Sequence, residues 1–145
     1  MRQELIAFIN ANHSKELNSM LHDRVGCANG YVAIPPGHPC YRQRYTAPIF
    51  DSINVHGGIT LSEPVCYESE SFMSKRQINP KYIGTRSALF DGAEYITDKK
   101  DVPDDWWILG FDTCHYCDNL ANWTREDIIA ETMRLKKQLD DLWHD

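Results

Sequence analysis

Asp112, Cys114, His115, Cys117 and Asp118 crowd chemically capable side chains into seven positions of this chain. An imidazole flanked by carboxylates can serve as a general base or as a metal ligand. Cys114 and Cys117 form a CxxC pair, a spacing that suits zinc or a redox disulfide. Zinc normally takes a second pair, and Cys27, Cys40 and Cys66 do not supply one at close spacing. A thioredoxin-like motif should open a helix, but DNLANW at 118–123 is a poor helix sequence. The pair therefore reads first as two half-buried thiols in a loop. Asp112, His115 and Asp118 remain the candidates for chemistry, with strand-end capping and an exposed histidine as the structural alternative.

A second constellation is VHGGIT at 55–60. His56 precedes Gly57 and Gly58, where a ligand can approach backbone amides without meeting a Cβ, and Thr60 adds a hydroxyl. Neither phosphate-loop nor dinucleotide-binding spacing is present. The structural alternative is a β-bulge beside an exposed histidine. A third stretch, PPGHPCYRQRY at 35–45, places His38, Tyr41, Arg42, Arg44 and Tyr45 where a lid could offer stacking and positive charge. A plain proline-stiffened loop is the commoner use of such a sequence. Trp106 and Trp107 are adjacent, so a strand sends them to opposite faces, where Trp107 could stack on a ligand or simply pack.

These residues need elements to hold them. Leu5, Ile6 and Ile9, then Leu17, Met20, Leu21 and Val25, follow a helical period, predicting helix over the first 25 residues with a break at 10–13 and a cap at Ser14. GYVAIPP at 30–36 predicts a short strand ended by prolines. INVHGGITLS at 53–62 predicts a strand interrupted by its glycine pair. Residues 63–92 predict loop with a short helix near 72–78. AEYIT predicts an edge element, and WWILGFD a buried strand after the VPDD turn. Thr124 caps a C-terminal helix with Glu126 and Asp127 in its first turn. Ile128, Thr132, Leu135, Leu139 and Leu142 form its apolar stripe, which packs on the sheet or pairs with a partner helix.

The chain has 145 residues, the size of one domain with its own core, here taken as residues 1–145. A net charge of −6 lacks the footprint of a nucleic-acid binder, although Arg42, Arg44, Lys75, Arg76, Lys81 and Arg86 fall in the middle third. No apolar run approaches a membrane span. The acidic start, Met-Arg-Gln-Glu-Leu, argues against a secretion signal. The odd count of five cysteines then reads as reduced thiols in a cytoplasm.

CANGYVAIPPGHP, VHGGIT, WWILGFDTCHYCD and the ET..L..QL helix together resemble a family of small proteins encoded by bacteriophages and prophages. The matching pieces span residues 27–142. The family pattern often has a small residue where this chain has Cys117, which sets the CxxC apart as particular to this sequence. The resemblance implies a phage origin and one compact domain, and it carries no mechanism.

The expectation is an α+β domain: a small, mostly antiparallel sheet near 30–35, 53–62 and 106–112, with N- and C-terminal helices packed on it. His56, Gly57 and Gly58 should then lie near Asp112, His115 and Asp118. The favoured function is capture of a small polar, nucleotide-like ligand by a phage accessory protein that interferes with a host system. His56, Gly57, Gly58, Thr60, Trp107, Asp112, His115, Asp118, His38 and Arg42 would line that site. One alternative is a metal-dependent hydrolase in which His56, Asp112, His115 and Asp118 hold a divalent ion that activates water. Another is a host-protein-binding module without chemistry, or a homo-oligomer through the C-terminal helix.

Overall fold

The apolar run at the start of the chain is buried on both sides, and this decides its conformation. A computed structural model describes residues 3–11, 28–67, 83–113 and 121–143. Ile6–Ala11 is strand β1 rather than the expected helix. Leu5, Ala7 and Ile9 join one hydrophobic cluster, and Ile6 and Phe8 join the other. The spacing of Leu5, Ile6 and Ile9 fits a helix, but LIAFI is a continuous apolar run, and such a run equally suits a strand covered on both faces. The remainder of the predicted N-terminal helix lies outside the described residues, as does the short helix near 72–78.

Ala28–Ile34 forms β2, Leu61–Pro64 β3, Glu94–Tyr95 β4 and Trp107–Phe111 β5. The sheet order is β3-β5-β2-β1-β4, and every pairing is antiparallel. The Pro35-Pro36 pair stops β2 as expected, since proline has no N–H for the ladder. β4 is the edge element expected of AEYIT. The strand expected over 53–62 is shorter and later. Residues 53–60 form a loop, and only Leu61 onward pairs with β5. Gly57 and Gly58 both take positive φ, at 69° and 78°, which a β-ladder does not accommodate.

Arg125–Asp141 forms helix α1. Thr124 accepts the Asp127 N–H while the Asp127 carboxylate accepts the Thr124 N–H, a reciprocal cap on two otherwise unpaired donors. Ile128, Thr132, Leu135 and Leu139 are fully buried against β1 and β2. Each aliphatic side chain contributes about 2 kcal/mol by leaving water. The stripe that could have paired with a partner helix is therefore the one the sheet covers. The approach is close at Gly30, where a Cβ would stand 2.1 Å from Thr132 Oγ1 and 2.5 Å from Phe111 Cε1. Thr132 tolerates this burial because its hydroxyl donates to the Ile128 carbonyl at 2.6 Å.

The result is an α+β architecture with a five-stranded open sheet and a helix on one face. Phe50, Ile53, Val55 and Ile59 extend the helix-side layer. Val65, Val102 and Trp106 cover the other face, against Ile6, Phe8, Ala33 and Ile108. Trp106 and Trp107 do take opposite faces, and both are buried.

Candidate functional site

The VHGGIT loop is bound to α1 through its own backbone. Glu131 accepts the His56 N–H at 2.7 Å. Gln138 accepts the Asn54 N–H at 2.7 Å and donates to the Asn54 carbonyl at 2.8 Å. The Gly58 N–H closes a turn onto Val55 at 2.8 Å, so it is not aimed at a ligand. Thr60 donates its N–H to the Gly110 carbonyl, which brings the loop beside β5. The His56 ring lies against Trp123, 4.2 Å between centroids. The acid that grips this loop stays ionised: two hydrogen bonds from the Arg134 guanidinium hold the Glu131 carboxyl below the usual range, against the opposing effect of its partial burial. An anion approaching here meets a carboxylate.

The other predicted residues are dispersed. His38 is 3% exposed; its Nδ1 accepts the Cys40 N–H at 3.0 Å and its Nε2 donates to the Leu139 carbonyl at 2.8 Å. It fastens the 35–45 loop to the end of α1. Arg42 sits in that loop at φ 62°, an uncommon conformation for a residue with a Cβ. Trp107 is a core residue, donating from Nε1 to Ser62 Oγ at 2.7 Å with Tyr41 at its edge. Asp112 follows β5 directly, and one further step of the β2–β5 register sets it opposite Asn29. Strand alternation sends it to the face away from α1, whereas His56 stands on the α1 side. His115, Asp118 and the Cys114/Cys117 pair lie outside the described residues. Among the described residues, no group of three or more His, Cys, Asp or Glu is placed to hold a metal ion.

A depression of about 520 Å³ opens instead on the sheet face away from α1. It falls within the roughly 300–1,000 Å³ typical of small-molecule sites. Asn10, Asn29, Tyr31, Glu63, Tyr67 and Asp91 give it its polar and aromatic lining. The ladder explains how they meet. Phe8, Tyr31 and Gly110 are successive partners across β1, β2 and β5, and Leu61 continues the row on β3. The Tyr31 ring stacks on Phe8 and occupies the space a Cβ at Gly110 would need. Asn10 and Asn29 pair two positions further along, on the same face. Asn10 donates both amide hydrogens, to Leu89 at 2.7 Å and Asp91 at 3.0 Å, which draws the 88–91 segment over the rim. Asn29 accepts the Thr113 N–H at 3.0 Å.

Sequence reasoning passed over these residues. The available signal was an asparagine within or closing each of two apolar strands, at IAFIN and CANGYVAI, where β-propensity disfavours it. Compared with known proteins, the chain matches no family model, no curated protein and no solved structure.

Proposed function

We propose that this chain is a small-ligand-binding protein, of the phage accessory kind its motifs resemble, and that its site is the depression on the sheet face away from α1. The observation that carries the reading is the Asn10–Asn29 pair. Two amides sit side by side at the sheet end, each oriented by its own bonds, with aromatic rings and carboxylates around them. Half-buried polar groups held in one orientation favour a specific polar ligand over a flat protein partner. The anion cradle expected at Gly57 and Gly58 is not part of this reading, because the Gly58 N–H closes a turn and Glu131 stands beside the loop.

Native mass spectrometry of untagged protein, purified without chelator, is the first test. The expected outcome is added mass from a small molecule, or a rise in melting temperature with at least one member of a polar-metabolite panel. A panel with no effect would refute it. A stoichiometric divalent ion in the same spectrum would favour the hydrolase alternative through His115 and Asp118.

A further inference from the structure

The two asparagines at the sheet end do not present the same atoms. Both of Asn10's amide hydrogens are engaged by the Leu89 and Asp91 carbonyls, so Oδ1 is the atom left to accept. Asn29 Oδ1 is engaged by the Thr113 N–H, so Nδ2 is the group left to donate. Neither remaining atom meets a partner among the described residues. The two residues are direct cross-strand partners, which sets their Cβ atoms roughly 5 Å apart. One acceptor and one donor therefore stand side by side at the depression. Their complement is a ligand edge that offers a donor next to an acceptor.

The surrounding charge narrows the class further. The exposed Asp91 carboxylate stands at the rim of the depression, and no lysine or arginine lines it among the described residues. A phosphate needs cations or converging N–H donors, and here it would meet the Asp91 carboxylate. Tyr67 and the largely buried Tyr31 add aromatic surface to the lining.

We infer that the depression recognises a neutral planar heterocycle with adjacent donor and acceptor atoms, of the nucleobase or nucleoside class, and selects against its phosphorylated form. This rests on the ligand-binding reading above and narrows it, since nucleotides as such are disfavoured.

The test is calorimetric titration of the full chain at low salt. The probes are the common nucleosides, their 5′-monophosphates and, as a cationic control, spermidine. At least one nucleoside is expected to bind, with its monophosphate about tenfold weaker, since like charges at this range cost on that order. Asn29→Asp keeps the oxygen that Thr113 needs and replaces the donor with a repelling acceptor. It should weaken nucleoside binding by about tenfold or more. Should that variant fold poorly, Asp91→Asn serves, because the Asp91 side chain makes no bond to a described residue. It should narrow the nucleoside–monophosphate gap.

Tighter binding of the monophosphate, or unchanged nucleoside affinity in Asn29→Asp, would overturn the inference. Binding of spermidine alone would overturn it too, leaving the ligand-binding reading in place. Silence from every probe here and from the wider panel would remove both.

Discussion

Acid should loosen this protein through one histidine. The His38 ring is neutral and carries its proton on Nε2, because Nε2 faces the Leu139 carbonyl and Nδ1 accepts the Cys40 N–H. A second proton can enter only at Nδ1, where it would confront the Cys40 N–H and lose that bond. Burial pushes the ring's pKa below the usual value near 6.5, and the Leu139 bond and the nearby Asp140 carboxylate oppose it in part. The sign follows from proton counting. Below about 6.5 the unfolded chain binds a proton at this ring that the folded chain refuses. The stabilisation is therefore complete above 6.5 and declines as pH falls from there toward the lower folded-state pKa. The slope approaches about 1.4 kcal/mol per pH unit for one group. The assay is urea denaturation at pH 7.5, 6.5 and 5.5 on the wild type and His38→Gln, whose amide can still donate to Leu139 but does not titrate. The stability gap between the two proteins should shrink with acid, and subtracting the variant cancels every other titrating group. Parallel curves for the two proteins across this range would refute the reasoning.

Two further outcomes follow from the packing. Gly30→Ala drives a methyl into Thr132 and Phe111, and overpacking of this kind should cost about 3 kcal/mol, seen as a lowered urea midpoint. Cys40 is fully buried and its thiol is pushed up to about 12. It should therefore resist alkylation at pH 8 in folded protein and react only on unfolding, as read by peptide mass mapping.

Which parts of this were legible beforehand depends on how local the cause is. The α1 boundaries follow from a capping side chain and a stripe at spacings of three and four, all within one stretch of chain. β2 and β5 announce themselves by β-branched or aromatic content with turn residues beside them. β1 misleads because its five apolar residues satisfy two periods at once. Only the arrival of a layer on each face selects the strand. VHGGIT misleads differently: its glycines mark a special backbone, but Glu131 and Gln138, more than 70 residues away, decide what that backbone does.

The sequence by itself determined the C-terminal helix, the opposed tryptophans and the edge element, because neighbours in the chain suffice for those. The tertiary structure decided which polar residues share a site. Asn10 meets Asn29 through the register of β1 on β2, and Asp91 reaches them because Asn10 holds the 88–91 backbone. Register is fixed by matching buried faces across strands. That matching is a property of pairs of segments, which no single stretch of sequence contains.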